Sequence, residues 1–225
     1  MRKLFIYGSL RHLPLLEIVL GRDASEIELS PAVLPGYRVS AAAEGPFPTI
    51  AAEEGAQAEG LLIQSLSDAD IARLDFYEGA FDYDLVPLIL ADGQGAEVYL
   101  PQPGRWQADG PWLLAQWEAD WAALSCHAAS EVMGYLGRKP RAEVDAMFPM
   151  IRRRAHQLVL AKHGRHEPQT LSGTIEITRR ERVYANFFAL DEFNLRHETF
   201  AGGMSEPMER AVFVSADAAL VLPYD

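Results

Sequence analysis

The sequence is poor in cysteine, because Cys126 is the single one among 225 residues. An intrachain disulfide is therefore excluded, which fits a reducing compartment. A cysteine becomes a good nucleophile only in an electropositive setting. We therefore interpret Cys126 as a small apolar position on a helix.

Basic residues and long apolar runs are also scarce. The sequence has 20 Lys and Arg against 32 Asp and Glu, a formal net charge of -12. This balance disfavours a general nucleic-acid binder, since phosphate contacts need a basic surface. No run approaches the roughly 18 apolar residues of a membrane span, and the apolar stretch at residues 4–7 is far shorter than a signal-peptide core. We predict a cytoplasmic protein with neither a membrane nor a nucleic-acid partner.

The remaining composition favours an ordinary globular fold, with 49% hydrophobic and 23% charged residues. The first hundred residues alternate short apolar or aromatic runs with Gly and Pro turns. This pattern predicts strands at 4–7, 32–40, 49–52, 59–65, 83–90 and 96–100. Many short strands with two short helices favour a mixed or barrel-like sheet over a doubly wound one.

Two helices are predicted within this block. The first covers residues 13–20 and stops at Gly21. The second begins after Ser67, which is a suitable N-cap with Asp70 three residues later. It ends near Gly79.

The pattern changes after residue 105. Apolar residues at helical spacing predict helices at 112–136 and 141–162, which form a helical hairpin. A linker is predicted from His163 to Pro168. Strands are predicted at 170–177, 183–195 and 208–214, and an apolar strand at 220–225. We therefore predict an α+β protein with domains at 1–105 and 166–225 joined by a helical connector at 106–165.

The first candidate site is the string Tyr7-Gly8-Ser9-Leu10, where a strand ends on a Gly-Ser turn before a helix. Backbone N–H groups at such a turn attract a carboxylate. Four residues alone are weak evidence, because an ordinary strand-to-helix turn has the same pattern. A companion motif is needed.

The companion is Leu74-Asp75-Phe76-Tyr77-Glu78-Gly79, followed by Tyr83. Between the two motifs lie Leu34-Pro35-Gly36-Tyr37-Arg38 and Pro46-Phe47-Pro48-Thr49-Ile50. In this order and spacing, residues 1–103 resemble the gamma-glutamyl cyclotransferase-like superfamily. The joint match is specific for the superfamily and much less specific for the substrate.

The resemblance implies a small barrel with a polar cavity. Glu78 would be its acid/base residue, and the loop of Tyr7, Gly8, Ser9 and Leu10 would bind the gamma-glutamyl group. Tyr37 and Tyr83 are further candidates for the cavity wall, although a buried tyrosine with a hydrogen-bonded hydroxyl is the more common explanation for each. The implied reaction releases 5-oxoproline and needs no metal or cofactor.

The C-terminal segment carries a second resemblance. Residues 176–225 resemble the N-terminal sheet of ADP-ribose pyrophosphatase-type Nudix proteins, through Arg182-Val183-Tyr184, Phe187-Phe188-Ala189-Leu190-Asp191 and Gly202-Gly203-Met204-Ser205. The glutamate-rich Nudix box that would bind magnesium is absent. Fusions of this kind resemble proteins linked to tellurite resistance, which implies no mechanism.

Three functions stay open at this point. The first is a cyclotransferase acting on glutathione, a gamma-glutamyl amino acid or a gamma-glutamyl amine. The second is a catalytically silent binding or assembly domain on the same fold. The third places the activity in a Nudix half outside this chain.

The apolar strands after residue 170 also predict a homodimer, because a small sheet seldom covers its own faces. A metal site at His163 and His166 is not expected, since no patterned carboxylate or cysteine accompanies them.

Overall fold

The computed structural model describes residues 2–79, 83–164 and 173–215. Its nine strands within those ranges are β1 (Arg2–Ile6), β2 (Leu29–Ala42), β3 (Gly45–Leu66), β4 (Tyr83–Ile89), β5 (Gly95–Pro101), β6 (Ala108–Pro111), β7 (Ile175–Ala185), β8 (Ala189–His197) and β9 (Met208–Val214). The helices are α1 (Leu13–Leu20), α2 (Asp68–Glu78), α3 (Leu114–Met133) and α4 (Arg141–Gly164), with short 3-10 turns at Ser9–Arg11 and Ala24–Glu26. The predicted α+β class is confirmed.

The first six strands form one mixed sheet in the order β4-β5-β1-β3-β2-β6. β1 lies inside this sheet, parallel to β5 and antiparallel to β3. The Ala91 N–H, just beyond β4, donates to the Val33 carbonyl of β2 at 2.9 Å. This bond joins the β4 side of the sheet to β2, so the sheet curls into a small barrel.

Side chains of β1 serve two hydrophobic clusters because they alternate across the strand. Leu4 and Ile6 pack with the helices, in a cluster that includes Leu15, Leu16, Val19, Ile71 and Leu74. Phe5 and Tyr7 point to the other face, into a cluster with Leu34, Ile50, Leu62 and Val98. β1 is therefore held on both faces, which fixes where its last residue lies.

The two short helices begin and end as predicted. α1 stops at Gly21, whose φ of 70° is left-handed and suits glycine. α2 begins with a complete capping box. The Ser67 hydroxyl accepts from the Asp70 N–H at 3.1 Å, and the Asp70 carboxylate accepts from the Ser67 N–H at 2.9 Å.

Several predicted strands are wrong in their boundaries. The segments 49–52 and 59–65 are parts of one 22-residue strand, β3, which bulges where Tyr37 pairs with Ala52 and Pro35 pairs with Gln57. Gly55 lies in that bulge with a φ of 77°, a conformation that suits glycine. The sequence pattern placed a turn at this glycine, but the bulge lets one strand continue through it. The segment 183–195 is two strands separated by a tight turn, in which the Asn186 N–H donates to the Phe188 carbonyl.

Both predicted helices of the middle segment are present. α3 packs against α1 and α2, and Cys126 lies half-buried beside the first cluster, where burial raises the pKa of its thiol. This agrees with an apolar helix position. α4 continues through Gly164, so His163 and Gly164, predicted as the start of a linker, belong to the helix. The rest of the predicted linker, 165–168, lies outside the described residues.

The chain divides into two compact units, Met1–Ala146 and Met147–Asp225. The three predicted domains stay a prediction. No helix among the described residues is long and apolar enough to cross a membrane.

The second unit contains a three-stranded antiparallel sheet in the order β7-β8-β9. Its centre holds Asp191, which is 1% exposed and accepts hydrogen bonds from Arg180 and Arg182. These two guanidinium groups lower the pKa of Asp191 against the effect of burial. The predicted strand at 220–225 lies outside the described residues.

The tight approach of β1 and β3 yields a stability prediction. A Cβ atom at Gly60 would lie 2.4 Å from the Ile6 carbonyl oxygen and 2.5 Å from the Phe5 ring. We expect Gly60→Ala to lower the free energy of unfolding by about 2–3 kcal/mol, because the backbone of β1 cannot move away. Gly95→Ala in β5 is the matched control, since its Cβ would meet nothing closer than 3.9 Å. Equal losses for the two variants in urea denaturation would contradict this account.

Candidate functional site

A cavity of about 50 Å³ opens where β1 ends. It has room for a few water molecules or the polar end of a small ligand. The walls come from the end of β1 and the turn after it, the segment at Phe47 and Pro48, the end of α2, and strands β4 and β5. Its lining residues are Phe5, Ile6, Tyr7, Gly8, Ser9, Leu10, Phe47, Pro48, Tyr77, Glu78, Tyr83 and Tyr99.

The turn after β1 passes close to the opposite wall. A Cβ atom at Gly8 would lie 2.8 Å from Pro48 Cγ, so this position needs glycine for space. Its φ of -108° lies outside the left-handed region, so space and not a left-handed backbone calls for glycine here. The 3-10 turn at Ser9–Arg11 follows at once, and the first N–H groups of such a turn have no partner inside it.

The facing wall is held in place by α3. The Trp117 indole N–H donates to the Pro46 carbonyl at 2.8 Å. Pro46 directly precedes Phe47 and Pro48, which line the cavity. A helix outside the predicted first domain therefore positions one wall of the site.

Glu78 lies at the last position of α2. Ile71 and Leu74 anchor that helix in the core, and Glu78 follows them at helical spacing, so it faces the same side. Glu78 is partly buried, and it is the only carboxylate among the described lining residues. Burial raises the pKa of Glu78 to about 7, and the positive charge of Arg141 opposes the rise. A carboxyl group with this pKa can both accept and donate a proton near neutral pH.

Tyrosine hydroxyls complete the polar lining. The Tyr7 hydroxyl donates to the Tyr99 carbonyl at 2.9 Å, and the Tyr99 hydroxyl donates to Asp75 Oδ1 at 2.5 Å. The Tyr83 hydroxyl donates to the Pro48 carbonyl at 3.3 Å. Burial raises the pKa of all three tyrosines, so they stay neutral. Glu78 is then the lining group poised to change its charge near pH 7.

Six of the seven predicted site residues lie around this cavity: Tyr7, Gly8, Ser9, Leu10, Glu78 and Tyr83. Tyr37 does not line it. The Tyr37 ring packs against the cluster inside the barrel, where β2 pairs with β3. Tyr37 therefore occupies a structural position in the described chain.

Sequence reasoning missed several neighbours of Glu78. Tyr77 belongs to the same motif as Glu78, and Phe47 and Pro48 belong to the motif that starts at Pro46, so their place near the site could have been predicted. No motif contains Tyr99 or Arg141. Tyr99 reaches the cavity because β5 pairs with β1, and Arg141 begins α4, some sixty residues after Glu78 in the chain.

Metal ligation finds no support in the part of the chain that the structure describes. Residues 2–79, 83–164 and 173–215 contain no group of three or more His, Cys, Asp or Glu placed to hold an ion. The histidine pair His163 and His166 lies outside the residues whose side chains are described.

Comparisons with known proteins identify the family of this chain. The family model "Gamma-glutamyl cyclotransferase, AIG2-like" matches residues 4–121, slightly more than half of the chain. That range holds the loop of Tyr7 to Leu10, Glu78 and Tyr83. "Protein AIG2 C" of Arabidopsis thaliana is 28% identical over 115 residues, which is 51% of this chain and 67% of that protein.

The chain is similar to solved structures at low sequence identity. A solution structure from Arabidopsis thaliana has a TM-score of 0.43 and 23% identity, over 61% of this chain and 84% of that one. A structure named "Gamma-glutamyl cyclotransferase" has a TM-score of 0.39 and 17% identity, over 64% of this chain and 86% of that one.

A separate, shorter match involves another protein class. The "ADP-ribose pyrophosphatase" of Escherichia coli K12 is 43% identical over 51 residues, or 23% of this chain. The chain spans about a quarter, 24%, of that relative's length.

The family match covers the cavity, its loop and its carboxylate together. The chain therefore belongs to the gamma-glutamyl cyclotransferase, AIG2-like family.

Proposed function

We propose that this protein releases 5-oxoproline from a gamma-glutamyl amino acid, peptide or amine, with Glu78 as acid/base residue. The observation that carries the proposal is the Glu78 carboxyl group, with a pKa of about 7, beside the loop of Tyr7, Gly8, Ser9 and Leu10. Family membership supports a cyclotransferase type of enzyme. The substrate's identity and a cytoplasmic location stay predictions.

The proposed reaction is an intramolecular displacement. The α-amine of the substrate attacks its own γ-carbonyl carbon, the new C–N bond closes a five-membered ring, and the bond to the leaving amine breaks. Nucleophile and electrophile are tethered, so the protein's main task is to hold the reactive conformer. No water or external oxidant is consumed.

Glu78 carries the proton between the two nitrogens. Its carboxylate accepts a proton from the attacking amine, and the resulting carboxylic acid donates it to the leaving nitrogen. A pKa of about 7 suits both steps. The N–H groups of Ser9 and Leu10 are the proposed donors to the oxygen that becomes negative in the tetrahedral intermediate.

A panel of gamma-glutamyl compounds tests this proposal. We expect 5-oxoproline, detected by mass spectrometry, from at least one of glutathione, gamma-glutamyl-alanine and a gamma-glutamyl amine. Glu78→Gln should fold and lower turnover by about 100-fold or more, the usual scale for lost acid/base catalysis. Glu54→Gln, an exposed position on β3, should leave the rate unchanged. A folded Glu78→Gln variant with the wild-type rate would remove Glu78 from this role.

The raised pKa of Glu78 also predicts a pH-dependent stability. Because the folded-state pKa, about 7, exceeds the reference value of 4.5, the folded state binds the proton more tightly than the unfolded state. Stability contributed at this site is therefore lost as pH rises from about 4.5 to about 7. We expect Glu78→Gln to be more stable than wild type by about 1–3 kcal/mol at pH 8, with the gap closing below pH 4.5. Urea denaturation at several pH values measures this, and a constant gap would contradict it.

The second unit suggests a role in assembly. Its sheet exposes large apolar side chains, among them Ile175, Ile177, Phe187, Phe188, Val212 and Phe213. The rings of Phe187, Phe188 and Phe213 lie against one another, and contiguous exposed apolar surface marks association sites. We propose that residues after 170 form a homodimer interface. Pyrophosphatase activity itself is not proposed.

Paired substitutions test the dimer. We expect a dimer by light scattering for the 225-residue chain and a monomer for Phe187→Asp combined with Phe213→Asp, since a charge in a buried interface is costly. Ile89→Asp in β4 is the control, because Ile89 and Phe213 are both 63% exposed. A monomeric wild type, or a dimer that survives the double substitution, would refute the proposed interface.

A further inference from the structure

Arg141 begins α4, about twenty residues after the family match ends, yet its side chain reaches the end of α2. Its Nη1 donates to the Tyr77 carbonyl at 2.9 Å, and its Nε donates to Asp145 Oδ1 at 2.6 Å. The guanidinium lies 5.5 Å from the centre of the Phe76 ring. With 18% of its side chain exposed, Arg141 is largely buried at this place.

These contacts bear on the peptide unit that carries Glu78. The last carbonyls of a helix have no partner within the helix, and a cation near them is favourable. The Tyr77 carbonyl belongs to the peptide bond between Tyr77 and Glu78, so the bond from Arg141 fixes that peptide. Asp145, one turn along α4, fixes the guanidinium in turn. The direction in which Glu78 leaves the backbone is therefore set from α4.

The same guanidinium supplies the positive charge near Glu78. The titratable groups that face Glu78 from packed elements of the described chain are Tyr7, Tyr83, Tyr99 and Arg141, while Cys126 on α3 faces Tyr77. The tyrosines are neutral near pH 7, because burial raises the pKa of each. The charge of Arg141 thus opposes the effect of burial on the Glu78 carboxylate.

We propose that Arg141 is a positioning residue of this site, which orients Glu78 through the Tyr77 carbonyl and stabilises its carboxylate form. Nothing in the family match covers this residue, since that match stops at residue 121. The kinetic consequence rests on the proposed function. The electrostatic consequence does not, because it concerns the charge of Glu78 in the protein without substrate.

Two variants separate the charge from the directed hydrogen bond. Arg141→Gln removes the positive charge, and its shorter side chain also gives up the reach of Nη1 to the Tyr77 carbonyl. Arg141→Lys keeps the charge and loses the planar donor pair. Lys139→Ala is the matched control, because Lys139 pairs with Glu143 on the same end of α4, at 3.0 Å.

The first readout is the titration of the Glu78 carboxyl carbon by NMR on the full chain, assigned with Glu78→Gln. We expect the pKa of Glu78 to rise above its wild-type value in Arg141→Gln and to stay near it in Arg141→Lys and Lys139→Ala. An unchanged titration in folded Arg141→Gln would overturn the proposal.

The second readout is the pH dependence of 5-oxoproline release. In Arg141→Gln the rising limb of kcat/KM should move to higher pH. In Arg141→Lys it should keep its pH, with kcat lowered about tenfold by lost orientation. Wild-type kcat in Arg141→Lys would overturn the positioning role. If no substrate is turned over, the proposed function fails, and the NMR titration still decides the charge effect of Arg141.

Discussion

β1 is the element on which the site depends, because it is packed on both faces and paired on both edges. Its alternate side chains fill two hydrophobic clusters, one under the helices and one inside the barrel. β3 passes so close that Gly60 has no room for a side chain. A strand held this firmly ends at one fixed point, and the cavity lies at that point. The packing of β1 therefore sets the position of the loop of Tyr7, Gly8, Ser9 and Leu10.

The chemistry of the cavity follows from burying one carboxylate among neutral hydroxyls. Burial disfavours the charged form of Glu78, and the guanidinium of Arg141 partly restores it. The outcome is a group that exchanges a proton near neutral pH, which is what transfer between two nitrogens needs. Helix α2 positions Glu78 in the cavity. The capping box sets the first residue of the helix, and the apolar face packed in the core sets its orientation about its axis. Stability is lost at this site as pH rises from about 4.5 to about 7, an example of stability given up where function needs a buried carboxylate.

The second unit combines a buried ion pair with exposed apolar side chains. Its small sheet buries Asp191 between two arginines, while many of its aromatic side chains stay exposed. Within the unit the sheet meets α4, whose Arg154 Nη1 donates to the Asn186 carbonyl at 3.2 Å. The proposed homodimer would cover the apolar side chains that stay exposed.

Local patterns in the sequence determined a large part of this protein. The boundaries of α1 and α2, the turn at Gly8 and the place of Glu78 all follow from capping residues, glycines and apolar spacing, which act within a few residues along the chain. Only the tertiary structure decided that 49–52 and 59–65 are one strand, that Tyr37 packs in the barrel and not in the cavity, and that Tyr99 and Arg141 stand beside the site. Those features come from pairing between distant strands and from a side chain reaching across helices. Such contacts depend on register and packing, which no short stretch of sequence records.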